Sequence, residues 1–170
     1  MRLLLIFTII ASLIFSNEIK AEDKQADIQS SYSYFGLGIG PLPVPAFTIN
    51  VGNRFALGNN FAIDTGVTLA TLIRYNALRG YIDGLCYINQ QPSSQYYVGI
   101  GGSIGGVFGF NSFCDEGFVA PNFLVGKEFF NSTGEKRFFQ VEALYPQYLF
   151  NEKKLMDYLP LLTLKYGMSF

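Results

Sequence analysis

The chain has 170 residues with a formal net charge of −1, so it carries no basic footprint for nucleic acid. It has no histidine, which removes the commonest general base and the commonest transition-metal ligand, and only two cysteines. Aromatic residues at 16%, 18 glycines, only 15% charged residues and a mean hydropathy of +0.24 are unusual for a secreted soluble domain and suit a sheet whose outer face meets lipid.

Residues 1–21 open with Met1-Arg2, continue through the apolar run Leu3 to Phe15 and reach Ile19-Lys20-Ala21 before the polar Glu22-Asp23-Lys24. A short basic start, an apolar stretch of export length and a small residue at the boundary predict a cleaved signal peptide. The run is too short for a comfortable transmembrane helix. Removing 21 residues from 170 leaves 149, enough for one domain. Residues 22–31 read as a polar lead-in and 32–170 as the folded domain.

The rest of the chain alternates at period two, the signature of strands with two different faces. Tyr32 to Gly40 sets Phe35, Leu37 and Ile39 against Gly36, Gly38 and Gly40. Ala46 to Phe55 sets Phe47, Ile49 and Val51 against Thr48, Asn50, Gly52 and Arg54. Leu57-Gly58-Asn59-Asn60 is a tight turn. Phe61 to Thr71 then places Phe61, Ile63, Val67 and Leu69 opposite Ala62, Asp64, Gly66, Thr68 and Ala70.

A fourth strand, Leu78 to Ile88, points Leu78, Ile82, Cys86 and Ile88 one way and Arg79, Tyr81, Asp83 and Tyr87 the other, with Asn89 to Gln95 as its turn. The fifth, Tyr96 to Phe110, carries Val98, Ile100, Ile104, Phe108 and Phe110 opposite Gly99, Gly101, Ser103, Gly105 and Gly109. Its inward glycines leave room for large neighbours. The sixth, Phe118 to Phe129, shows Val119, Phe123, Val125 and Phe129 outward with Asn122, Gly126 and Glu128 inward, and Pro121 marks a bulge or an outer end. After Asn131-Ser132-Thr133-Gly134, the seventh presents Phe139, Val141, Ala143 and Tyr145 against Gln140 and Glu142. The last, Leu161 to Phe170, carries Leu162, Leu164, Tyr166, Met168 and Phe170 on one face and Thr163, Lys165, Gly167 and Ser169 on the other.

Eight strands in 149 residues give roughly 19 residues per strand with its connection, which fits membrane-crossing strands of about 9–11 residues. The fold class expected is all-β, a closed antiparallel up-and-down transmembrane barrel. Connections at Pro41 to Pro45, Leu72 to Ala77, Asn111 to Gly117 and Pro146 to Leu159 would then lie on the outer side, and the three tighter turns in the periplasm.

A final strand ending on an aromatic, Phe170, with Met168 two before it and Tyr166 on the same face, resembles the C-terminal assembly signal of bacterial outer-membrane proteins, although Lys165 stands where that pattern has glycine. From about Tyr32 to Phe170 the chain resembles the small eight-stranded outer-membrane barrels, the class of OmpX and the OmpA transmembrane domain. The resemblance implies outer-membrane lipid and the barrel-insertion machinery as partners, and a role in envelope integrity or surface interaction.

Eight strands enclose space for side chains or a small ligand and no wide channel, so a general porin is disfavoured. Alternation directs Arg54, Asp64, Arg79, Asp83, Glu128, Glu142 and Lys165 into that lumen. Unpaired buried charges carry a large desolvation cost, so these are expected to pair, Arg54 with Asp64 across the short turn and Lys165 with Glu142 at matching depth. The sharper reading is a path for protons or small ions. Tyr32, Tyr34, Phe129, Phe138 and Tyr166 approach strand ends and are expected in an aromatic girdle.

The barrel enzymes of this membrane use histidine, so no enzymatic activity is expected; an acid pair such as Asp64 with Asp83 reads as lumen wiring. No cofactor and no metal site are expected. Cys86 and Cys114 would sit at opposite ends of the barrel, beyond the roughly 7 Å a disulfide tolerates. Gly99-x-Gly101-x-x-x-Gly105 lies in an alternating strand with no helix after it and reads as lumen packing, and the sequon at Asn131 as incidental. The rival reading is a secreted soluble barrel holding an apolar ligand, which would turn the apolar face inward.

Overall fold

The computed structural model describes residues 30–42, 46–58, 60–71, 75–91, 93–109, 116–131, 134–145, 147–148 and 161–170. The expected signal peptide, nearly all of the lead-in, Cys114 and most of the outer connections lie outside the described residues. The strands are β1 (Tyr32–Leu42), β2 (Phe47–Ala56), β3 (Phe61–Thr71), β4 (Tyr75–Gln91), β5 (Ser94–Gly109), β6 (Glu116–Phe130), β7 (Lys136–Leu144), β8 (Gln147–Tyr148) and β9 (Leu161–Ser169).

From β1 to β7 each strand pairs antiparallel with the next, β9 pairs with both β7 and β1, and the ring has no free edge. Closure removes the unpaired backbone groups that an open sheet edge would expose. β8 is no ninth stave. Gln147 pairs with Val119 and Tyr148 with Phe118, in the same register by which Leu144 pairs with Asn122, so β8 continues β7 beyond Pro146. The barrel therefore has eight staves. Pro121 lies inside a continuous β6, opposite Gly102, and the interruption falls in the neighbouring line after Leu144.

Several strands are longer than alternation alone marked. β1 runs to Leu42, β4 starts at Tyr75 and continues to Gln91, and β5 begins at Ser94, so the connections expected from Leu72 and from Asn89 shrink to residues 72–74 and 92–93. Ladder pairing such as Tyr75 with Gly109 and Gln91 with Ser94 carries these ends past the last clear apolar alternation.

The tight turns share one end of the barrel with the start of β1 and the end of β9, where the Phe170 amide donates to the Ser33 carbonyl at 3.2 Å. In the first turn Leu57 N–H donates to the Phe61 carbonyl, and Gly58 supplies a φ of 88° that a side chain would resist. In the β6–β7 turn Asn131 N–H donates to the Glu135 carbonyl with Gly134 at φ 84°.

The two faces separate cleanly. Phe47, Ile82, Ile100 and Ile104 stand on the outside and are 77%, 59%, 61% and 63% exposed. Thr48, Asn50, Arg54, Asp64, Asp83, Asn122 and Glu142 point inward and are almost fully buried. A small apolar cluster of Ala62, Leu85, Tyr97 and Leu124 fills part of the interior.

Aromatic rings and glycines interlock around the inner wall. Tyr34 lies directly across the ladder from Gly52, Tyr81 from Gly66, Tyr97 from Gly126, Phe118 from Gly105 and Phe138 from Gly167. In every one of these pairs a methyl group built on the glycine would collide with the facing ring. The glycines are therefore seats for rings, a cross-strand pairing that pins register. This corrects the girdle: Tyr34 and Phe138 are buried inside the lumen and Tyr32 bonds an interior carboxylate, whereas Tyr166 stays on the outer face.

Candidate functional site

The interior polar groups form two layers. The layer nearer the tight turns is organised by Arg54, two residues before the end of β2. Its ladder partner on β3 is Asp64, and the register places the two side chains side by side on the inner wall. Arg54 Nη2 lies 2.7 Å from Asp64 Oδ2, and Nη1 reaches across the lumen to Glu128 Oε1 at 2.8 Å. One planar guanidinium thus bridges β2, β3 and β6, a geometry an ammonium could not reproduce. The rings of Tyr97 and Phe138 lie 4.6 and 4.7 Å from its Cζ, in cation–π contact.

The carboxylates of this layer are further satisfied by tyrosines. Tyr34 donates to Asp64 Oδ1 at 2.7 Å and is itself bonded to the Tyr81 hydroxyl. Glu128 accepts from Tyr32 and, at 3.2 Å, from Tyr87. Tyr97 donates to Gln140 Oε1 at 3.0 Å. The hydroxyls all come from positions on the inward parity of their strands.

The second layer lies toward the opposite end. Arg79 on β4 makes a forked pair with Glu142 on β7, at 2.7 and 3.0 Å. Lys165 Nζ, on β9, lies 2.5 Å from Glu142 Oε2, close as an ion pair though not aligned as a hydrogen bond. Glu142 therefore holds two cations from two other strands. The Tyr81 ring faces both of them, 5.4 Å from Arg79 Cζ and 4.6 Å from Lys165 Nζ.

Asp83 is the expected lumen charge that has no cation within ion-pair distance among the described residues. Its Oδ1 accepts from Asn122 Nδ2 at 2.9 Å, and Asn122 accepts in turn from Ser103 at 3.0 Å. Asp64 and Asp83 are ladder partners on β3 and β4, yet Asp64 is held by Arg54 and Tyr34 while Asp83 is held by Asn122. They do not share a common partner as an acid–base pair would.

The seven charged residues expected in the lumen lie in the interior: Arg54, Asp64 and Glu128 in one layer, Arg79, Glu142 and Lys165 in the other, with Asp83 beside the second. The sequence reading missed the cross-lumen pairs Arg54–Glu128 and Arg79–Glu142 and the amide and tyrosine members Asn122, Gln140, Tyr34, Tyr81 and Tyr97. Their inward parity was readable, but parity does not tell which opposite walls meet. Tyr166, Met168 and Phe170 project outward from the closing strand. Cys86 is a half-buried free thiol on the outer-face parity of β4. Among the described residues no three acidic or cysteine side chains converge as a metal site would require.

No family model matches the chain, and no curated protein matches it. Solved structures do. The N-terminal β-barrel domain of Pseudomonas aeruginosa OprF superposes with a TM-score of 0.58 at 13% identity, covering 84% of this chain and 98% of that one. Neisserial surface protein A superposes with a TM-score of 0.64 at 8% identity, covering 82% and 94%. A de novo designed protein, TMB2.3, gives 0.52 at 15% identity, covering 84% and 93%. At such identities the likeness is one of fold: the chain is an eight-stranded closed antiparallel barrel, as those proteins are.

Proposed function

We propose that this protein is an integral outer-membrane β-barrel whose lumen is filled by side chains, with a structural role in the envelope or in surface interaction and without the open channel of a general porin. The observation that carries this reading is the inversion of its two faces. Large apolar side chains such as Phe47, Ile100 and Ile104 stand exposed on the outside, while arginine, lysine and carboxylate groups are buried and paired within. In water such an exterior would be an extensive aggregating surface. Against hydrocarbon it is the favourable one.

The lumen reading draws on the same geometry. Arg54 and Glu142 each tie together three staves, and the rings seated on glycines fill the interior beside them. The role is non-enzymatic. The partners are outer-membrane lipid and the barrel-insertion machinery, the latter engaging Tyr166, Met168 and Phe170 on β9, after export through a signal peptide cleaved near residue 21. A soluble barrel holding an apolar ligand would need the opposite facing, and the exposed isoleucines of β5 weigh against it.

Gel mobility tests the proposal. Protein from the membrane fraction, loaded in detergent without boiling, is expected to migrate as a compact species and to shift on boiling, because a closed ladder resists detergent. A water-soluble protein with one mobility in both lanes would overturn the reading.

A further inference from the structure

The outer face carries one local exception to its apolar character. Along all the described strands, the positions with outward parity hold apolar, small or uncharged residues except at Lys127 on β6 and Arg137 on β7. Gly126 and Glu128, on either side of Lys127, point inward, and so do Lys136 and Phe138 on either side of Arg137. The ladder pairs Lys127 with Phe139 and Phe129 with Arg137, so the two cations are diagonal neighbours, roughly 7–8 Å apart at their backbones.

The two like charges meet little compensation. Lys127 is only 5% exposed because rings cover it: its Nζ lies 4.6 Å from the Tyr96 ring and 5.2 Å from the Phe129 ring. No carboxylate among the described residues is within ion-pair distance of it. Arg137 has a single loose contact with the exposed Glu135 at 3.5 Å, and its buried Nε has no hydrogen-bond partner. Lys127 stands three residues before the end of β6, about 10 Å along the strand from the turn. That is the depth at which aromatic belts and lipid headgroups meet.

We propose that Lys127 and Arg137 form an exterior binding site for the phosphate of an anionic phospholipid headgroup in the leaflet on the tight-turn side, with Tyr96, Phe129 and Phe139 packing beside its glycerol and upper acyl carbons. The inference rests on the membrane reading above. The charge complementarity is specific: a phosphodiester supplies acceptors that fit between an ammonium and a guanidinium, and its chains continue along the apolar wall beneath.

The test is native mass spectrometry of the full chain, inserted into vesicles of equal phosphatidylglycerol and phosphatidylcholine and then extracted in mild detergent. The wild-type protein is expected to retain phosphatidylglycerol over phosphatidylcholine. The K127Q/R137Q double variant should lose that preference roughly 25-fold, at about fivefold per cation. Because both side chains lie outside the ladder and the lumen, the variant should keep its heat-shifted mobility. Excess inorganic phosphate should leave the adduct in place, marking a lipid site; its displacement by phosphate alone would overturn the headgroup assignment. Insertion with a lipid preference unchanged in the double variant would overturn this site alone, whereas failure of both proteins to insert would overturn the membrane reading with it.

Discussion

Replacing Glu142 by glutamine keeps the size and shape of the side chain while removing the one negative charge that holds Arg79 and Lys165. Glu142 is fully buried, and both cations lie within 3.0 Å of it on strands from two other sides of the lumen. Removing one partner of a buried ion pair leaves an uncompensated charge, which costs about 3–5 kcal/mol. The amide oxygen can still accept one hydrogen bond, so the lower part of that range is expected, about 3 kcal/mol. The assay is urea unfolding in vesicles, followed by the fraction of compact, unboiled band on a gel. The double variant E142Q/R79Q removes one of the two orphaned cations and should recover part of the loss, a coupling that independent sites would not show. A change below about 1 kcal/mol in E142Q, the range of exposed pairs, would mean that water screens this layer, and the reasoning from a dry interior would be refuted.

Three further outcomes follow from the same geometry. Gly126→Val places a branched side chain where the Tyr97 ring lies, so the barrel should lose about 1–3 kcal/mol, and G126V/Y97A should recover part of it; unchanged unfolding of G126V would refute the ring seat. Arg54→Lys keeps the charge but cannot span Asp64 and Glu128 together, so about 1.5–3 kcal/mol should go with the lost charge-assisted bond; a variant as stable as the parent in the same assay would show that the fork does not matter. In planar bilayers the wild-type protein should give no stable, large conductance, and a steady porin-sized current would contradict a filled lumen.

Much of this barrel was legible because a wall with one apolar and one polar face writes its facing into every second residue. Phe61 to Thr71 has the same limits in sequence and structure, since an unbroken alternation ends at a glycine–asparagine turn on one side. The Arg54–Asp64 contact was readable for a local reason: ten residues apart around a tight turn, the two are ladder partners. The Arg79–Glu142 fork was not, because 63 residues separate them and their meeting depends on which walls a closed ring sets face to face. Strand ends such as Tyr75–Ala77 and Asn89–Gln91 were hidden because backbone pairing continues after apolar patterning fades. Tyr34 and Phe138 were misplaced by weighing nearness to a strand end over parity. Tyr34 shares the face of Gly36 and Gly38, and that face points inward.

The central claim is that the apolar face of this barrel meets lipid, and a single tryptophan tests it directly because the chain has none. Ile100 lies in the middle of β5, outward and 61% exposed. In vesicles, Ile100→Trp should emit in the blue and be quenched by lipids brominated along the acyl chain, with little response to aqueous acrylamide. Strong acrylamide quenching with no effect of brominated lipid would put that face in water and contradict the account.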